Sequence, residues 1–214
     1  MNTAFTRVPM VSPKLEELIV AVRNPETPDL APFHTCIRQI GLLMSYELSR
    51  ALETKTTRVK TIMGEEAIHY TPAEKPVLIA VLRAGLPLYE GGREVFSNSE
   101  SGFIGSMRDE ETLRPKTTYI ALPDLAGKIA IIYDTMLATG GSMEDAVQIA
   151  FTRGAKEVYA CSAIAATEGI VRIEKHIGRD HIYAAAIDDK LNLKGYIVPG
   201  LGDAGDRAFG KKVD

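Results

Sequence analysis

The chain has no tryptophan, two cysteines, four histidines and only 7% aromatic residues. Two thiols are too few for a disulfide framework or a thiolate metal site, and Cys36 and Cys161, each in an apolar segment, read as reduced core residues. No apolar run approaches the roughly 20 residues that span a bilayer. The N-terminal MNTAFTRVPM has no apolar stretch of the secretory kind. Charge of one sign is missing too. With 25 Lys and Arg against 28 Asp and Glu, the net charge of -3 offers no footprint for nonspecific nucleic-acid binding. Neither an internal repeat nor a low-complexity segment is present. These absences predict a soluble, intracellular, cytoplasmic protein with no membrane and no nucleic-acid partner. What is there is a chain of 214 residues, 45% hydrophobic, long enough to bury one large α/β core.

Along the chain, residues 1–70 read as an arm attached to that core. Lys14 to Val22 suits a short helix, and Pro25, Pro28 and Pro32 punctuate a loop. Phe33, Ile37, Ile40, Met44, Leu48 and Leu52 then recur at helical spacing, which predicts an amphipathic helix of about twenty residues. Thr56–Ile62 and Ala67–Tyr70 predict a β-hairpin, and such an arm is expected to pack on a partner subunit. Residues 71–190 alternate strands (Val77–Leu82, Gly102–Met107, Ile129–Tyr133, Val158–Ile164, Ile182–Ala186) with helices (Leu86–Phe96, Ser142–Arg153, Glu168–His176). That rhythm predicts a mainly parallel, doubly wound sheet, whose ligands bind outside the carboxyl ends of the strands. Residues 191–214 form a glycine-rich tail, and the whole is read as a single domain.

The densest information lies in Ile129 to Ser142, IAIIYDTMLATGGS. A short apolar strand ends in Asp134, and a turn of small residues opens a helix with apolar residues at Met143, Ala146, Val147 and Ala150. Ala138, Thr139, Gly140, Gly141 and Ser142 therefore present free backbone amides at a helix N-terminus, where an anion such as a phosphate is stabilised. Asp134 would repel that phosphate, so its partner is expected to be a sugar hydroxyl or a metal-bound water beside it. Together they read as a 5-phosphoribosyl site. The bland alternative is a glycine-rich turn with a capping serine. No lysine follows the glycines, so this is not a Walker loop. The four histidines, His34, His69, His176 and His181, lie outside these segments and read as structural or surface residues.

DTMLATGGS, Asp134 to Ser142, resembles the phosphoribosyl pyrophosphate motif of the type I phosphoribosyltransferases, and its MLATGGS core is the form found in uracil phosphoribosyltransferases. GYIVPGLGDAGDR, Gly195 to Arg207, is similar to the uracil-binding loop of the same enzymes. LRAGLPL (Leu82 to Leu88) and MRDEETLRP (Met107 to Pro115) agree, in the family's order. The resemblance implies the type I phosphoribosyltransferase fold, with residues 191–214 as a base-binding hood, and a transfer of the phosphoribosyl group to uracil giving UMP and diphosphate. It implies that Arg83, Ala84 and Gly85 bind the diphosphate, with Arg108 on a flap, Met107 to Pro123, that closes over it; a solvated hairpin is the plainer reading of that charged stretch. Asp134, Thr135, Met136 and Leu137 lead into the phosphate loop 138–142. Ile197, Gly202 and Ala204 contact uracil through their main chain, and Asp203 faces the ribose and diphosphate. Asp134, Arg108 and Asp203 are the catalytic candidates. No residue is assigned as a metal ligand, since magnesium is expected to be bound mainly through phosphoribosyl pyrophosphate. A homodimer or homotetramer is expected, with GTP as an effector. Two departures stand out: Thr135 and Thr167 each occupy a place where the family usually has proline, freeing backbone that proline would hold. Two other readings stay open, a regulator of this fold that binds RNA and a transferase for another base.

Overall fold

The computed structural model describes residues 12–108 and 115–212. Helices α1 (Pro13–Arg23) and α2 (Ala31–Leu48) precede a hairpin of β1 (Thr54–Lys60) and β2 (Glu66–Pro72). The core follows with β3 (Val77–Leu82), α3 (Leu86–Val95), β4 (Ser101–Arg108), β5 (Pro115–Ala121), β6 (Ile129–Tyr133), β7 (Met136–Leu137), α4 (Gly141–Thr152), β8 (Glu157–Ala166), α5 (Thr167–Ile177) and β9 (Ile182–Asp188). Short strands β10 (Lys190–Leu191) and β11 (Ile197–Val198) and helix α6 (Ala204–Phe209) close the described chain.

The central sheet runs β5-β4-β3-β6-β8, with β9 on the far edge of β8. Because β7 and β9 both pair with residues 164 and 165 of β8, they occupy opposite edges, and β7 extends the line of β6. Every pairing in this sheet is parallel except β4 with β5. Strands β3, β6, β8 and β9 are almost wholly apolar because both their faces are covered, as a crossover-built parallel sheet requires, whereas β4 and β5 carry polar residues. Side chains alternate between the faces at period two. Leu78, Ala80, Ile131, Tyr133, Tyr159 and Cys161 pack with α1, α2 and α3. Val77, Ile79, Val81, Ala130, Ile132, Val158 and Ala160 pack with α4 and α5.

Phe33, Ile37, Ile40, Met44 and Leu48 of α2 are wholly buried on the first face. At about 1.5–3 kcal/mol each, they make α1 and α2 a layer of the core rather than an appendage, and only the β1–β2 hairpin stands off with most of its residues exposed. Cys161 is buried as expected, whereas Cys36 is only partly so. The stretch read as a flap contains β5, which pairs antiparallel with β4 through Arg108 and Pro115. Residues 109–114 at its tip lie outside the described residues.

Candidate functional site

Three strand ends set the site. β3 ends at Leu82, and Arg83, Ala84 and Gly85 turn into α3 through a cis Leu82–Arg83 peptide. Gly85 has no room for a Cβ: one would press on the Tyr133 carbonyl of the neighbouring strand. β6 ends at Tyr133, whose buried hydroxyl lies 2.9 Å from Ser45 Oγ on α2. That contact anchors the strand end and so fixes where Asp134 begins. The Asp134 amide donates to the Cys161 carbonyl at 3.1 Å, and its carboxylate accepts a long 3.5 Å bond from the Met136 amide. Among the described residues no cation pairs with this buried carboxyl, so desolvation dominates and pushes its pKa up to about 7.

From Asp134 the chain passes through β7 into α4. Gly140 takes the left-handed conformation, φ 81°, at the residue preceding the helix, which turns the amides of residues 138–142 into one bend. A cleft of about 70 Å³ is lined by Asp134 and residues 136–143. A second, of about 190 Å³, is lined by Arg83, Ala84, Ser106, Asp134, Ser142, Asp203, Gly205 and Lys212, with Val81 and Leu82 behind them. Asp134 and Ser142 belong to both, so the phosphate loop and the space beneath the hood are two lobes of one crevice.

Arg83 reaches the hood. Its Nη2 lies 2.9 Å from Asp206 Oδ1 and its Nη1 donates to the Gly210 carbonyl at 3.4 Å, while Nε is buried with no protein partner among the described residues. Asp203 caps α6, accepting from the Asp206 amide at 2.9 Å through Oδ1. The hood is tied down from outside the crevice. Arg207 pairs with Asp29 at 2.8 Å, donates to the Leu201 carbonyl at 2.9 Å and lies over the Phe33 ring. Buried Asp188 accepts from both Arg23 and the Gly200 amide.

Of the sequence candidates, the structure brings Arg83, Ala84, Asp134, Met136, Leu137, residues 138–142 and Asp203 to the crevice walls. Four others do not line it. Gly85 packs beneath it, Ile197 and Ala204 are buried in the hood, and Gly202 is exposed beside them. Thr135 does not leave its loop free. Wholly buried and off the walls, it donates its hydroxyl to the Ala84 carbonyl at 2.6 Å and accepts the Ile164 amide at 3.1 Å. Thr167 opens α5, where a first-turn residue needs no backbone donor, so threonine costs little there. The Arg108 side chain lies outside the described residues. Ser106, whose hydroxyl is 3.2 Å from that of Ser142, and Lys212 were missed. Nothing in a strand serine or a lysine trailing Gly210 marks either one in the sequence.

The family model for uracil phosphoribosyltransferase matches residues 9–211. A uracil phosphoribosyltransferase from Malacoplasma penetrans is 42% identical over 94% of this chain and 97% of its own. One from Thermus thermophilus is 40% identical over 99% and 100%. A solved protein of Aquifex aeolicus superposes with a TM-score of 0.86 at 35% identity, covering 94% of this chain and 97% of its own. A purine phosphoribosyltransferase from Pyrococcus horikoshii, at 17% identity and a TM-score of 0.50 over 72% and 83%, shares the fold.

Proposed function

This chain belongs to the uracil phosphoribosyltransferase family, and we infer from that premise that it transfers the 5-phosphoribosyl group of phosphoribosyl pyrophosphate to uracil, giving UMP and diphosphate. It is a pentosyltransferase. The observation that supports the site reading is the crevice whose two lobes share Asp134 and Ser142, since the phosphoribosyl donor needs its 5-phosphate, ribose and diphosphate subsites to be contiguous.

In this reading residues 138–142 hold the 5-phosphate on their amides, at the N-terminus of α4. Asp134 accepts the ribose hydroxyls, whose donors favour its ionised form and draw its pKa back down. Arg83, with Arg108 from the β4–β5 hairpin, takes the diphosphate. A bond forms between the uracil ring nitrogen and the anomeric carbon as the bond to the diphosphate oxygen breaks, and the proton on that nitrogen passes to the departing diphosphate. The transition state resembles an oxocarbenium ion, so the work of the protein is alignment and neutralisation rather than covalent chemistry. Uracil is assigned by the family resemblance to main-chain groups of Ile197, Gly202 and Ala204 in the hood, which lie off the described crevice walls, with Asp203, which is on them, beside the ribose. A cytosine amine would meet a donor where the uracil carbonyl belongs, leaving two buried donors opposed.

Magnesium fits this arrangement as a passenger on the donor. Among the described residues no group of three or more His, Cys, Asp or Glu could cage an ion, whereas a lone carboxylate without a fixed cation accommodates one bound to phosphate oxygens. When bound, it neutralises the leaving diphosphate. The role of residues 191–214 as a base-binding hood, assembly as a homodimer or homotetramer, GTP as effector and a cytoplasmic location belong to the same proposal.

The test supplies purified protein with phosphoribosyl pyrophosphate and magnesium, and offers uracil, cytosine, hypoxanthine and orotate separately as labelled bases. UMP forms from uracil, and the others stay unconverted. Conversion of another base at a comparable rate, or of none, removes the reading.

A further inference from the structure

Among the described residues the diphosphate lobe is poor in free positive charge. Its described walls carry two carboxylates, Asp134 and Asp203, and two cations, Arg83 and Lys212. Arg83 is partly spoken for, because Asp206 of α6 lies 2.9 Å from its guanidinium. Apart from Arg108 of the β4–β5 hairpin, a multiply charged diphosphate entering here meets, among the described residues, three carboxylates within or beside the lobe and one half-committed guanidinium, unless Lys212 contributes. No ion pair or hydrogen bond engages the Lys212 ammonium among the described residues.

Its position over the lobe has a structural cause. α6 ends at Gly210, whose φ of 86° turns the chain back, and the Gly210 carbonyl accepts from Arg83 Nη1 at 3.4 Å while its amide donates to Asp206 at 2.8 Å. The segment carrying Lys212 is thus pinned at the diphosphate-side arginine. Lysine also suits the task. A compact charge on a flexible stem follows phosphate oxygens as they depart, whereas the Arg83 fork is held in one orientation by Asp206 and Gly210.

We propose that Lys212 is a further donor-binding residue of this enzyme, its ammonium contacting the diphosphate of phosphoribosyl pyrophosphate and of the product. The proposal rests on the phosphoribosyltransferase reading of the same crevice. Because the ammonium contacts the diphosphate and not the base, its removal acts on the donor and on diphosphate and leaves uracil alone.

The experiment compares the parent, Lys212→Gln, Lys212→Arg and Lys211→Gln. UMP formation by the parent is established first, so that failure of the catalytic reading is separated from failure of this one. Lys212→Gln is expected to raise the KM for phosphoribosyl pyrophosphate and the inhibition constant of diphosphate by roughly tenfold each, the scale of a charge-assisted hydrogen bond. The uracil KM and kcat stay within about twofold of the parent. Lys212→Arg restores most of the loss, and Lys211→Gln behaves as the parent. Calorimetric titration with magnesium diphosphate reads the same difference without turnover. Parent-like donor KM and diphosphate affinity in Lys212→Gln overturn the proposal. So does an equal loss in uracil KM and kcat that arginine fails to relieve.

Discussion

Asp134 is a carboxyl whose surroundings favour its neutral form until a ligand arrives. In the unfolded chain it titrates near the ordinary value of about 3.9, and in the fold near 7. Between those values the folded protein holds a proton that the unfolded chain has released, so stability falls as pH rises through the window. Asp134→Asn removes the titration. Thermal melts are expected to show the variant gaining on the parent between about pH 4 and pH 7, by on the order of 1–4 kcal/mol; identical pH profiles would show that the carboxyl is not desolvated. The same variant loses turnover by roughly 100-fold, since the ribose is no longer held in line. Arg83→Ala acts on the other half of the donor. Initial rates should show its donor KM rising roughly tenfold or more, with kcat changed less.

At the scale of elements, the crevice depends on loops tied to one another rather than on any one loop. Thr135 joins the turn after β6 to the turn after β3 through its 2.6 Å bond to the Ala84 carbonyl, a link that proline has no hydrogen to make. Thr135→Val keeps the shape and deletes that donor, leaving a carbonyl unpaired at a cost of about 1–3 kcal/mol. A higher donor KM is expected in the valine variant and a near-parent value in Thr135→Ser; equal KM values in all three would make the link incidental. Legibility in the sequence followed the same division. β3 and β6 have the bounds read from their apolar runs, because a strand buried on both faces leaves no polar residue to blur its ends. β5 reads from the sequence as part of a charged flap, since PKTTYIA pairs with one neighbour only and keeps Tyr119 and Ile120 exposed. α6 was hidden in a glycine-rich run, its cap resting on the single acceptor Asp203. Periodicity marked α2 as amphipathic but does not say what covers its apolar face, and so the helix passed for part of an arm.

For the whole molecule, both faces of the central sheet are covered by helices of the same chain, whereas the β1–β2 hairpin gathers several exposed apolar side chains on one ribbon. Its seven-residue strands pair in unbroken register from Thr54 with Pro72 to Lys60 with Glu66, yet Val59, Ile62, Met63, Ile68 and Tyr70 lie open to solvent. A two-stranded ribbon with no core of its own is marginal in water. Its apolar side chains would be better placed against another surface, which supports the proposal that the ribbon contributes to the interface of a homodimer or homotetramer. Ile68 and Tyr70, two residues apart on β2, share one side of the ribbon. The double substitution Ile68→Glu and Tyr70→Glu puts two carboxylates on that side while leaving both hydrophobic clusters of the sheet intact. Light scattering is expected to show the assembled species falling to the monomer mass. The melting temperature of the dilute protein should change little, because neither side chain packs in the core. An unchanged mass at micromolar concentration would exclude this side of the hairpin from the interface.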